Sequence, residues 1–248
     1  EALYSNTTAG QNTAVGYQAM YSNTTAQSNA AFGMAAMYAN TTGEDNVAVG
    51  HSALYSNTDG DFNTAVGKNA LISNTTGARN TTVGHQSMRQ NTTGNYNTSF
   101  GRSALYTNTT ANNNTAVGYE SLYANTTGFE NVAIGTNALD ANTTGYRNTA
   151  VGALDTLGAN TTGYYNVAIG RESMRFNTTG FENVAFGVTT LEGNTTGTKN
   201  TALGTYALRN NTTGSYNTTL GYRAGYSKTT GDYNTFVGTD SGYFITTG

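Results

Sequence analysis

Apolar and polar residues recur along this chain with a period of 17, and the unit is best written N-T-A-V-G-x-x-A-L-Y-S-N-T-T-G-x-x. Its first asparagine falls at Asn12, Asn29, Asn46, Asn63, Asn80, Asn97, Asn114, Asn131 and Asn148, then at Asn166, Asn183, Asn200, Asn217 and Asn234. One step, from 148 to 166, is 18 residues long, because the stretch Gly152 to Asn160 holds one extra residue. Residues 1-248 therefore read as a single array of about fourteen 17-residue units, with no internal linker and no second domain. Glu1 and Gly248 both fall inside the repeat, so the array reads as a segment of a longer or polymeric chain.

Stacking the units gives columns with separate physical meanings. The residue before the motif glycine (Val15, Phe32, Val49, Val66, then Ile134, Phe186 and Leu203) is always apolar and often β-branched, which predicts a buried strand position. A Leu/Met column (Met20, Met37, Leu54, Leu71, Leu105, Leu122) is apolar until Gly225 and Gly242 replace it, and a small residue such as Ala19, Ala53, Ser87 or Ser173 sits beside it. These three columns are the expected core. The structural turn glycines are Gly16, Gly33, Gly50, Gly67, Gly84, Gly101, Gly118, Gly135, Gly152, Gly170, Gly187, Gly204, Gly221 and Gly238. A column that never carries a Cβ predicts positive φ or close approach of another backbone. The second glycine column admits Ala9, Ala26 and Ala111, which fits an ordinary turn.

A unit of this length is too short for a helix pair or a propeller blade, but it fits one coil of a solenoid. The fold class expected is all-β: a parallel β-solenoid (β-roll or β-helix) of 17-residue coils. N-T-A-V is the strand and N-T-T-G-x-x the turn. The stretch x-x-A-L-Y-S stays open between a second short strand and a single helical turn. At an inter-strand spacing of about 4.8 Å, fourteen coils would extend roughly 65 Å. Like residues then form ladders: Asn12-type and Asn23-type amides bonding between coils, and a Tyr column (Tyr4, Tyr21, Tyr38, Tyr55, then Tyr106 and Tyr123) stacking its rings. That column later becomes Arg175, Glu192, Arg209, and Glu130/Arg147 and Glu182/Lys199 place opposite charges one coil apart, whereas Glu44 and Asp61 go the other way.

Composition narrows the function. There are 31 Gly and no Pro, Cys or Trp, the apolar fraction is 36% and only 10% of residues are charged, which is too little core material for a compact enzyme. A net charge of −3 with scattered Lys and Arg argues against nucleic acid, and no apolar run reaches membrane-spanning length, so no membrane insertion is expected. The absence of Cys excludes disulfides. About three inward residues per coil make a thin core, and each coil end is a strand edge. The expected partner is therefore the chain itself, in an end-to-end polymer or a parallel homo-oligomer such as a trimer.

Chemistry is sparse, and neither an enzyme nor any cofactor is expected. His51 and His85 follow motif glycines two coils apart and read as surface residues rather than a metal or catalytic pair. Asp59-Gly60-Asp61 lacks the recurring Asp of calcium-binding solenoids. The recurrent feature is N-T-T, an N-x-[ST] acceptor at an expected exposed turn, at Asn6, Asn23, Asn40, Asn74, Asn91, Asn108, Asn125, Asn142, Asn160, Asn177, Asn194 and Asn211. These are candidate glycosylation sites, with Thr O-linkage included, and the same pattern also arises from turn and strand preference alone. One outward Thr row supports a distant alternative, an ice-binding solenoid.

N-T-A-V-G, and N-V-A-I-G at Asn131 to Gly135 and Asn166 to Gly170, resemble the strands in the head repeats of trimeric autotransporter adhesins. The N-T-T-G/N-T-A-V-G arrays are also similar to those of phage tail-fibre and large bacterial surface proteins. The resemblance implies a left-handed parallel β-roll, a trimer and binding to host matrix or a cell surface. Together these readings point to a structural repeat protein forming or extending an extracellular filament, glycan-coated if the sequons are used. The alternative is an adhesin or phage tail-fibre shaft that binds a cell-surface glycan or protein. Either places the chain outside the cell, or on a cell or virion surface.

Overall fold

The computed structural model describes residues 1–247, and Gly248 lies outside the described residues. The chain divides into two compact units, Glu1–Thr127 and Gly128–Gly248. Unit 1 holds β1 (Thr13–Val15), β2 (Ala30–Phe32), β3 (Val47–Val49), β4 (Thr64–Val66), β5 (Thr81–Val83), β6 (Thr98–Phe100) and β7 (Thr115–Val117). Unit 2 holds β8 (Val132–Ile134), β9 (Thr149–Val151), β10 (Val167–Ile169), β11 (Val184–Phe186), β12 (Thr201–Leu203), β13 (Thr218–Leu220) and β14 (Thr235–Val237). Within each unit every strand pairs in parallel with the next one in sequence, in the register of the repeat, as in Thr13↔Ala30 and Val167↔Val184. Each unit is thus a parallel β-solenoid with one strand per coil and, among the described residues, no helix.

The strands are only three residues long, and this decides which side chains are inside. With side chains alternating across the sheet, the central residue points inward and its two neighbours outward. The interior strand position is therefore the small one (Ala31, Ala48, Ala65, Ala133, Ala168), fully buried in each case. The apolar residue before the glycine faces out, which corrects the expectation that Val15, Phe32, Val49, Ile134, Phe186 and Leu203 are core; Val15 and Phe186 are each 56% exposed. The Leu/Met column and its small neighbour are buried as expected, exemplified by Leu54, Leu105, Ala53 and Ser87.

The x-x-A-L-Y-S stretch is neither strand nor helix but a run of tight turns closed by three-residue hydrogen bonds, such as Ala19 N–H to Gly16 O at 3.3 Å and Asn23 N–H to Met20 O at 3.3 Å. It carries left-handed residues two apart, as at Gln18 (φ 56°) and Met20 (φ 51°). A left-handed Met or Leu costs about 1–2 kcal/mol. Burial of the side chain offsets this, together with an inter-coil bond such as Met20 N–H to Ala36 O at 3.0 Å. Near the C-terminal end the column turns to Gly225 and Gly242, still left-handed at φ 64° and 66°. The vacated space is taken by Phe236, which replaces the central strand alanine; a Cβ on Gly225 would lie 3.0 Å from its ring.

The motif glycines satisfy both readings of their column. Gly50 has φ 132°, and a Cβ there would lie 2.7 Å from the carbonyl carbon and oxygen of Gly67 in the next coil. In the 18-residue coil the extra residue bulges outward: Leu154 and Asp155 are both left-handed, at φ 59° and 58°, and Leu154 is exposed.

Candidate functional site

Three surfaces of the coil carry the recurrent chemistry. The first is interior. Asn40 Nδ2 donates to Asn23 Oδ1 at 3.2 Å and to Gly43 O at 2.9 Å, and the pattern repeats as Asn57 to Asn40 and Asn74 to Asn57, both at 2.8 Å. In the second ladder Asn29 Oδ1 accepts the Asn46 N–H at 2.9 Å, while Asn29 Nδ2 donates to Gly43 O at 2.9 Å. One glycine carbonyl thus receives an amide from each ladder, so the second glycine is the meeting point of the two. These ladders match the inter-coil bonding expected from the sequence.

Their burial corrects the exposure expected of the N-T-T turns. Of the candidate acceptors, Asn23, Asn40, Asn74, Asn91, Asn108, Asn125, Asn142, Asn160, Asn177, Asn194 and Asn211 are fully buried, and Asn6 is half-buried. In Asn74 the amide nitrogen donates both to Asn57 Oδ1 and to Gly77 O, each at 2.8 Å, so both of its hydrogens are engaged. Beyond the first pair, whose Thr7 is exposed, the first Thr is half-buried and donates to the next coil, as Thr75 Oγ1 does to Thr92 O at 3.1 Å. The second, such as Thr76 or Thr93, is exposed.

The second surface is the outer face of the strands. No strand in either unit contains a charged residue, and the outward positions are Val, Ile, Leu, Phe, Thr and Ala. In unit 2, Ile134, Phe186, Leu203, Leu220 and Val237 are all exposed on it, with Val237 at 63%. At such exposures this face offers on the order of 800 Å² of largely apolar surface per unit, close to what each partner contributes to a stable interface.

The third surface carries rings and charges. Tyr4, Tyr21, Tyr38 and Tyr55 stack with centroids 4.9, 5.3 and 5.0 Å apart, and Tyr106 stacks on Tyr123 at 5.1 Å, as expected. Away from the Tyr column, a second stack, Phe129–Tyr146–Tyr164–Phe181, fills the position after the second glycine. The one-coil charge pairs hold at Arg147–Glu130 and Arg209–Glu192, both 2.6 Å. The Glu130 carboxylate, with the Tyr165 hydroxyl, holds the Arg147 guanidinium above its usual range. Arg175 instead turns to Asp155 at 3.1 Å.

In unit 2 the Tyr column and the column three residues before it form a groove of about 440 Å³. One wall is Glu192, Arg209, Tyr226 and Tyr243 of the Tyr column, and the other is Glu172, Thr189, Tyr206 and Arg223, with Arg171 and Tyr222 at the rim. Tyr226 stacks on Tyr243 at 5.0 Å, while Tyr206 meets Tyr222 edge-on at 70°. Tyr222 lies between Thr205 and Thr239 in its own column, and no ring stacks on it.

Elsewhere the polar residues singled out in the sequence do not converge. His51 and His85 are exposed, with the Lys68 coil between them. Asp59 bonds the Thr42 hydroxyl, and Asp61 Oδ1 accepts the Glu44 N–H at 2.8 Å, which accommodates the like charges there. Among the described residues no group of three or more His, Cys, Asp or Glu is placed to hold a metal ion. In comparisons with protein-family models, curated proteins and solved structures, the chain matches none.

Proposed function

We propose that this is a structural, non-enzymatic protein, a segment of an extracellular filament or surface fibre in which copies of the chain lie side by side. The observation that carries this reading is the uncharged, apolar outer face of the strands. A monomer leaving that face in water would expose a stripe of Val, Ile, Leu and Phe at nearly every coil. A second copy offers the same stripe with the same coil spacing, so the two can interdigitate along their length. Covalent sugar, in this reading, sits on the exposed second threonines, because buried asparagine amides such as Asn74 and Asn91 have both hydrogens engaged. An intact mass equal to the 25.9 kDa polypeptide would exclude such a coat.

Electron microscopy of purified protein tests the assembly directly. Filaments or bundled rods are expected, and uniformly monodisperse single particles of one chain would overturn the reading. A second reading, a shaft that itself binds a cell-surface glycan or protein, is favoured by the groove of unit 2, where one wall carries Glu172, Tyr206 and Arg223 in a column that is mostly Gln, Ser and Asn in other coils.

A further inference from the structure

We propose that the groove of unit 2 binds a neutral, linear oligosaccharide lying along the coil axis; this rests on the second reading above and names its ligand. Three observations carry it. The first is the state of the charges. Arg209 is paired with Glu192 at 2.6 Å, Arg223 with Asp240 at 2.9 Å and Arg171 with Glu172 at 3.4 Å. Each guanidinium therefore already has its carboxylate, and an anionic or cationic ligand would have to displace one. What the pairs still offer is a planar fork of N–H donors beside carboxylate lone pairs. Vicinal hydroxyls, each able to donate and accept, match that arrangement.

The second observation is a partly exposed ring on which no other ring stacks. Tyrosines on this surface are mostly stacked in pairs or ladders, with their faces covered by other rings. Tyr222 has only a threonine on each side in its column, meets Tyr206 edge-on, and carries the Arg223 guanidinium over one face, 4.8 Å from its centroid. It is 43% exposed. With Arg223 over one face, the other, bordered in its column by a threonine, accepts the C–H face of a sugar, which is apolar although its rim is not.

The third is spacing. Side chains of one column recur once per coil, as the 5.0 Å between the Tyr226 and Tyr243 rings illustrates. An extended chain of β-linked pyranose rings repeats at nearly the same interval. Successive sugars can then meet successive coils in equivalent ways, so the groove selects an extended polymer rather than a compact monosaccharide.

Calorimetric titration of the whole protein with cellohexaose, chitohexaose and mannohexaose, and with a heparin-derived hexasaccharide as the polyanionic comparison, tests this. Saturable binding of at least one neutral hexasaccharide is expected, weakened tenfold or more by Tyr222→Ala and changed less than threefold by Tyr222→Phe, which keeps the ring. Tyr38→Ala, in the stacked ladder of unit 1, should leave binding unchanged. Circular dichroism matched to the wild type certifies that Tyr222→Ala is folded. No binding of any neutral hexasaccharide, tighter binding of the polyanion, or full affinity in Tyr222→Ala would overturn the proposal. Labelled protein that coats cells yet binds none of the neutral sugars would sink this ligand class while leaving the surface-binding reading standing; if it does neither, both fall.

Discussion

At the scale of the residue, the feature that organises this protein is a buried asparagine whose amide is fully used. A primary amide has two donors and two acceptor lone pairs, and stacking identical coils lets each Asn serve its neighbour on either side. Asn91 donates to Asn74 Oδ1 at 2.8 Å and to Gly94 O at 3.1 Å, and accepts from Asn108 at 2.8 Å. Asn91→Ala strands the Asn108 donor and the Asn74 acceptor in a dry interior and should cost about 2–5 kcal/mol in urea denaturation. Thr93→Ala, on the exposed side of the same turn, should stay within about 0.5 kcal/mol.

The ladder ends where Lys228 takes the asparagine position. Lys228 is fully buried, and neither its Nζ nor Asn211 Oδ1 has a hydrogen-bond partner. Burial pushes the Lys228 ammonium below its usual range. The folded state therefore binds this proton less readily than the unfolded chain. The resulting penalty is full below the folded-state pKa and fades as pH rises towards the unfolded value, near 10.4. Lys228→Asn should raise the melting temperature at pH 7, and the gap from wild type should narrow as pH approaches 10. A variant that melts lower than wild type at pH 7 would contradict this.

At the scale of the element, a three-residue strand is a short lever with large consequences. Period, coil length, asparagine and tyrosine ladders and the glycine column were all legible in the sequence, because each repeats unit after unit. The inside and outside of the strand were not. Val, Ile and Phe before the glycine look like core by hydrophobicity, yet the inward strand position is the central one, which opposite the Leu/Met column holds small side chains such as Ala48, Ala65, Thr82 and Ser99. The covariation that betrays this is present: Phe236 stands at the alanine position where Gly225 and Gly242 vacate the leucine position. The groove was illegible because it joins two columns, each irregular by itself. The left-handed Leu and Met residues were also hidden, since nothing in their side chains favours that conformation. The glycines, by contrast, have no latitude. Gly50→Ala meets both the φ of 132° and the Gly67 carbonyl at 2.7 Å, and should lower stability by about 3 kcal/mol in the same denaturation assay.

At the scale of the molecule, the question is what covers the outer strand face. The coil satisfies its backbone through its neighbours and its amides through the ladders, but its Val, Ile, Leu and Phe stripe is left to solvent. Lateral association through that stripe is driven by apolar burial, so it should strengthen with salt. Charges placed on the face should abolish it without unfolding the coil, since those side chains contribute little to the interior. The measurement that bears on this most directly is sedimentation equilibrium of wild type beside the double variant Phe186→Lys, Leu220→Lys. Wild type should sediment at two or more times 25.9 kDa and the variant as a folded single chain. A wild type that sediments at 25.9 kDa at micromolar concentration, or a variant that associates as fully as wild type, would contradict side-by-side assembly through the strand face.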